Sequence, residues 1–180
     1  MVAELPDICR VMVTGHRKIG GSYQDTDTHH WVRASLRQLL SRLQVKYGDN
    51  LTAISGMAIG VDMIFAEEAL SLGIPFVAAV PFSGQESQWP PASQSRYRNI
   101  LAQATKIILV DELPQYNAAS IPAKLQLRNL WMIDHSNMTI AVWDGGVGGT
   151  ANTVKACRKI GRKVLRVDPV KREIGVEKAA

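Results

Sequence analysis

Six short apolar runs separated by five segments of helical character constrain this chain more than anything else in it. The runs are RVMVTG (10–15), LTAIS (51–55), IPFVAAVPF (74–82), KIILVD (106–111), MTIAVWD (138–144) and KVLRVD (163–168). Between the first two, Val32, Leu36, Leu39, Leu40, Leu43 and Tyr47 recur at the spacing of one helix face, after Asp27 and Thr28 as candidate N-caps and before Gly48 as a stop. Further helices are expected at about 61–72, 93–104, 124–135 and 151–161. Most of the strand runs are continuously apolar, as required when both faces of a strand are covered. Strict alternation of strand and helix predicts an α/β fold: a Rossmann-like, doubly wound, mainly parallel six-stranded sheet with helices on both faces. With right-handed crossovers the expected order is 3-2-1-4-5-6, with a crevice beyond the carboxyl ends of strands 1 and 4.

At 180 residues the chain suits one domain, 1–180, ending in a short polar tail at 169–180. No apolar run reaches the length of a membrane span, and MVAELPDICR has no long apolar core of a secretion signal. Cys9 and Cys157 give neither a disulfide framework nor metal spacing, so reduced thiols and a cytoplasmic setting are expected. The net charge of +5 is concentrated: residues 155–180 hold nine Lys or Arg against three Asp or Glu, and the rest of the chain holds 12 against 13. Lys155, Arg158, Lys159 and Arg162 fall on one helical stripe, either a solvated face or a docking patch. A general nucleic-acid surface would be more broadly basic. The adjacent His29 and His30 point different ways from a helix and find no third ligand, so no metal is expected.

Glycine marks the junctions where function collects in this architecture. VTGHRKIGG (13–21), SGMAIGVD (55–62) and DGGVGGT (144–150) each follow a strand, and the latter two lead into helices. A helix N-terminus presents unpaired N–H groups and partial positive charge to an anion. Any one such loop is explained by a tight turn; three on one sheet edge point to a nucleotide site. Named nucleotide motifs fit badly: Gly15 and Gly20 have the opening spacing of a P-loop without its lysine, and GxGxxG is absent after the first strand, so the P-loop ATPase and dinucleotide dehydrogenase readings lose most of their support.

At SGMAIGVDMIFAEEAL (55–70), YRNILAQA (97–104) and LQLRNLWMIDHSNMTIAVWDGGVGGTANTV (125–154), together with VTGHR (13–17), the chain resembles the SLOG superfamily (the DprA and LOG proteins) in its YpsA-like branch. The resemblance covers roughly 10–168. It implies a Rossmann-like domain that binds nucleotides or nucleotide-derived molecules, and a homo-oligomer, dimer or larger. Carried over by position, it implicates Ser55, Gly56, Gly60 and Asp62 in the second loop, Arg128 and Asn129 before the fifth strand, and Gly148, Gly149 and Thr150 in the third loop. The LOG enzymes cleave the bond between base and ribose phosphate with a glutamate three residues after that threonine. Here the place is held by Thr153.

The residues add their own candidates. Gly15, His16 and Arg17 end the first strand, Arg17 suiting phosphate and His16 a base or a proton. Met57 lies within the second glycine loop. Thr150 suits phosphate or a plain N-cap; Asp62 suits a ribose hydroxyl or the first helical turn. Asp144, with Gly145 and Gly146 after it, is a candidate acid, base or ribose contact, or a turn aspartate. Trp89 could cover a base or pack beneath its loop. The expectation is a protein that holds a nucleotide-derived small molecule, such as one like ADP-ribose, as sensor, carrier or sequestering agent, with no cofactor required. Two alternatives stand beside it: an N-glycosidic hydrolase using Asp144 or Asp62, and a DprA-like single-strand DNA module.

Overall fold

A computed structural model describes residues 8–23 and 25–177; the reading of the first seven residues lies outside them. Strands and helices alternate as β1 Cys9–Gly15, α1 Asp27–Tyr47, β2 Leu51–Ser55, α2 Val61–Ser71, β3 Phe76–Val80, α3 Pro91–Leu101, β4 Lys106–Leu109, α4 Ile121–Asp134, β5 Met138–Val142, α5 Gly149–Lys159, β6 Val164–Asp168 and β7 Glu173–Val176. The Rossmann-like class expected from the sequence is the one observed. Successive side chains of one strand enter opposite cores, as the pleat dictates. Val11 and Val13 pack with α1, α2 and α3, whereas Met12 between them packs with α4 and α5. In the same way Ile140 and Val142 face the first core and Ala141 the second.

Helix α1 buries Val32, Leu36, Leu39, Leu40 and Leu43, the stripe its spacing predicts. Its N-cap is Thr26 rather than Asp27 or Thr28, the Thr26 hydroxyl accepting from the His29 amide. Gly48 ends it at φ +53.

The strand order corrects the expected one. It is β4-β3-β2-β1-β5-β6-β7, seven strands rather than six in the order 3-2-1-4-5-6. The fourth strand pairs with β3 at the outer edge, not with β1. Helix α3 packs on the same face as α1 and α2, so a third right-handed crossover carries the chain one strand further outward. Only then does α4 return it across the other face to place β5 beside β1, with Gly15 opposite Val142. The direction of winding therefore reverses between β1 and β5.

The seventh strand lies in what reads as a loose tail. Glu173–Val176 pairs antiparallel with β6, and the Asp168 carboxylate closes the turn by accepting from the Val170 and Lys171 amides at 3.0 Å each. All four of its residues are exposed, so no apolar pattern announced it.

Candidate functional site

Three chain segments meet where the sheet reverses. The β1 end, Gly15, approaches α2 so closely that an added methyl would lie 2.6 Å from the Val61 side chain. The Val61 amide donates to the His16 carbonyl at 3.4 Å, joining the first loop to the second. His16 Nε2 lies 3.3 Å from Asp144 Oδ1, joining the first loop to the third. Together they enclose a pocket of about 290 Å³ lined by Thr14, Gly15, His16 and Arg17, by Ala58 and Asp62, and by Gly149 and Thr150, with Leu125, Arg128, Asn129 and Met132 of α4 along one wall. The crevice lies beyond β1 and β5, the true switch point, rather than beyond strands 1 and 4.

The second loop builds this pocket from within. Ser55 is fully buried; its hydroxyl donates to the Asp62 carbonyl at 2.8 Å and accepts from the Met57 amide at 3.1 Å. Met57 is buried at φ 60, a conformation rare for a side-chain-bearing residue, and points into the core. The Asp62 carboxylate accepts from the Ala58 amide at 3.3 Å. Burial pushes its pKa up, while Arg128, then the Ala58 amide and Arg17, pull it back down. Asp62 thus shapes the loop as well as lining the pocket.

Arg128 is buried at 5% exposure. Its Nη1 donates to the Gly56 carbonyl, and its Nε donates to Asn129 Oδ1 at 2.9 Å. A methyl on Gly56 would fall on the guanidinium, which would have to move aside. Burial lowers the Arg128 pKa and the charge of Asp62 raises it back, both residues being buried and lining the pocket. A guanidinium has five donors. Two N–H directions are committed to Gly56 and Asn129.

The third loop is open. Gly145 at φ +96 and Gly148 at φ +139 take conformations that favour glycine, and Val147 at its tip is 98% exposed. The Asp144 carboxylate accepts from the Gly146 amide at 2.9 Å, and the Trp143 indole donates to the Gly146 carbonyl at 2.7 Å. The Gly146 amide and, after burial's opposing effect, His16 hold Asp144 below the usual carboxylate range. Asp144 is therefore a turn aspartate with a histidine partner. Gly148 precedes α5, and Gly149 and Thr150 form its first turn; Thr150 is buried at the pocket edge. Thr153 is buried and its hydroxyl donates to the Gly149 carbonyl at 3.0 Å.

Not every candidate reaches the pocket. Gly145, Gly146 and Gly148 shape the third loop outside its lining, and Gly60 sits where the first two loops cross. Trp89 belongs to a neighbouring groove with Arg17. The basic stripe divides: Arg158 pairs with Glu177, and Arg162 Nη1 donates to the Ile133 carbonyl at 2.6 Å, leaving Lys155 and Lys159 exposed. His29 is buried against Thr26, and no cluster of metal-ligand type occurs among the described residues. Arg166 supports the third loop unannounced, donating from Nε to the Trp143 carbonyl at 3.0 Å. Its charge inside the apolar run KVLRVD was the available signal.

A mostly parallel sheet with a glycine-walled crevice at its reversal point defines a Rossmann-like α/β protein. Within that class the chain belongs to the YspA SLOG family, whose profile matches residues 11–163. It is 36% identical over 101 residues to the SPbeta prophage-derived protein YoqJ of Bacillus subtilis, covering 52% of this chain and 59% of YoqJ. It thus spans about three fifths of that relative's length. Among solved structures, DNA processing protein A (DprA) from Streptococcus pneumoniae superposes with a TM-score of 0.62 at 18% identity, over 89% of this chain and 50% of that one. DprA from Helicobacter pylori, described for its single-stranded DNA binding mode, gives 0.61 at 19%, over 90% and 66%. At these identities the likeness is one of fold. No helix among the described residues is long and apolar enough to cross a membrane.

Proposed function

We propose that the protein binds a nucleotide or nucleotide-derived small molecule, its phosphate held between Arg17, Arg128 and the N-terminus of α5, and that it acts as a sensor, carrier or sequestering protein. The observation that carries this reading is convergence. Loops from β1, β2 and β5, remote in sequence, line one pocket that also contains a buried guanidinium with uncommitted donors. Helix N-termini and arginine forks are the groups that phosphate selects. Membership of the SLOG family supports the same ligand class.

The same inventory favours binding without turnover. The position three residues after Thr150 is a threonine bonded to its own helix, and Asp144 is held in its ionised form by the Gly146 amide. Asp62 is committed to Ala58 and balances Arg128. Each of these groups already has a partner within the protein, and Asp144 lies outside the pocket lining.

Titration calorimetry against a panel of nucleoside mono- and diphosphates, ADP-ribose and inorganic pyrophosphate tests the reading. The expected result is saturable binding of a phosphate-bearing ligand that weakens by about tenfold or more in Arg17→Gln, as befits a lost charge-assisted contact. A folded wild-type protein that binds none of the panel overturns it. So does single-strand DNA binding that collapses on neutralising Lys155 and Lys159 while Arg17→Gln leaves it intact.

A further inference from the structure

We propose that the groove beside the pocket, on the α1–α2–α3 side of the first loop, seats a nucleobase, so that the ligand is a nucleoside diphosphate or its ribosylated form with its base against Trp89 and its phosphates reaching past Arg17 to α5. This rests on the phosphate reading above and names the ligand that fits it. The groove measures about 330 Å³ and is lined by Ile59 and Ile64 from α2 and the loop before it, by Trp89, by Tyr23 and His29, and by Arg17 and Arg96. The phosphate pocket is about 290 Å³. Sites for small organic ligands begin at roughly 300 Å³. Each space lies close to that lower bound, and base and phosphates divided between the two have ample room. Arg17 borders both, so its guanidinium is within reach of a ligand that extends from one to the other.

The groove has the three surfaces that a heterocycle needs. Ile59 and Ile64 supply an apolar floor. Trp89 supplies an aromatic wall whose plane is fixed by an edge-to-face contact with Tyr97, centroids 5.5 Å apart. Tyr97 is itself held by the Gln85 amide at 3.3 Å. Gln94 pins the backbone beneath, its amide donating to the Trp89 carbonyl at 2.9 Å and to the Ser87 carbonyl at 3.2 Å. Flat π-faces stack on such a wall with any base. The polar edge is His29, buried, with Nδ1 engaged by the Thr26 hydroxyl at 2.9 Å and Nε2 remaining as its second polar atom. Burial lowers its pKa, so the ring stays neutral and suits a base edge rather than a phosphate. Arg96 is already bound by Glu67 at 2.5 and 2.8 Å, which leaves Arg17 as the groove's guanidinium for the phosphates.

Calorimetry with ADP-ribose, ribose 5-phosphate and pyrophosphate separates the base from the phosphates. In the wild type, ADP-ribose is expected to bind at least about tenfold tighter than ribose 5-phosphate, the scale of one stacked base. Trp89→Ala removes that advantage and leaves the base-free probes unchanged; Trp89→Phe retains most of it. Ser93→Phe fills the groove from α3 at a residue that is no part of the Trp89–Tyr97 ring pair, and has the effect of Trp89→Ala even if Trp89→Ala itself fails to fold. ADP-ribose binding that survives both Trp89→Ala and Ser93→Phe overturns the groove while the phosphate pocket stands. Loss of binding of all three probes in the wild type removes the phosphate pocket, and this inference with it.

Discussion

The second and third glycine loops look alike in sequence and do opposite things in the structure. In SGMAIG the glycines are there because neighbours leave no room. A methyl on Gly56 would strike the Arg128 guanidinium, and one on Gly60 would lie 2.5 Å from the Arg17 carbonyl and 2.7 Å from that of His16. In DGGVGGT the glycines are there because the backbone must turn and stay bare. Gly148 and Gly149 would meet nothing within 4 Å, and Gly145 would meet only an arginine side-chain nitrogen, at 3.3 Å. The second loop is a packing device that brings charged groups to the pocket wall; the third is an open edge whose backbone is largely uncovered. A glycine motif therefore reports freedom of the chain, and only the surroundings say what the freedom is used for.

Substitutions at matched positions sharpen this contrast. The largest effect is expected at Gly60→Ala, where a φ of +93 and two backbone carbonyls both oppose a side chain. A loss of about 3 kcal/mol or more is expected in chemical denaturation. An unchanged denaturation midpoint would show that the two loops can part without cost. The intermediate case is Gly149→Ala at the start of α5, an open position with ordinary φ. Alanine favours the helix by up to about 1 kcal/mol relative to glycine, so thermal stability should hold or rise. Binding of a phosphate probe should fall severalfold, because the methyl crowds the amide face. Stability and affinity that fall together would make the third loop a packing loop like the second.

The smallest effect concerns pH. Asp144 has a folded pKa depressed below its ordinary value of 3.8, chiefly by the Gly146 amide. Its contribution is thus fully present above that ordinary value and lost as pH falls through the depressed one. The residue is substantially exposed, so the contribution is small. Asp144→Asn should flatten the acid limb of the stability profile slightly and leave the midpoint at neutral pH nearly unchanged. A steeper acid limb in the variant would contradict the assignment.

Several residues of the site were legible before any coordinates. Gly15, Arg17, Asp62, Arg128, Asn129, Gly149 and Thr150 do line one pocket. Others were legible as members of the right loops without a role. Ser55 and Met57 act from inside the loop, where a hydroxyl bridges two backbone groups and a thioether enters the core, contacts that leave no periodic trace. The groove was the least legible part. Trp89, His29 and Ile64 come from three elements that share no motif, and Trp89 alone was visible as an aromatic in a polar segment.

The sequence by itself determined the alternation of strand and helix, the faces of α1 and the three junctions, because these follow from spacing and from backbone preferences over a few residues. Tertiary structure alone decided where β4 pairs, that β7 exists, and that the crevice opens between β1 and β5. A crossover of given length permits either neighbour for the next strand, and an exposed edge strand is held by ladder bonds rather than by apolar burial. Tertiary structure alone also brought Asp62 and Arg128, 66 positions apart in the chain, to the wall of one pocket. Charges so far apart in sequence line one pocket only when the sheet brings their helices to one edge.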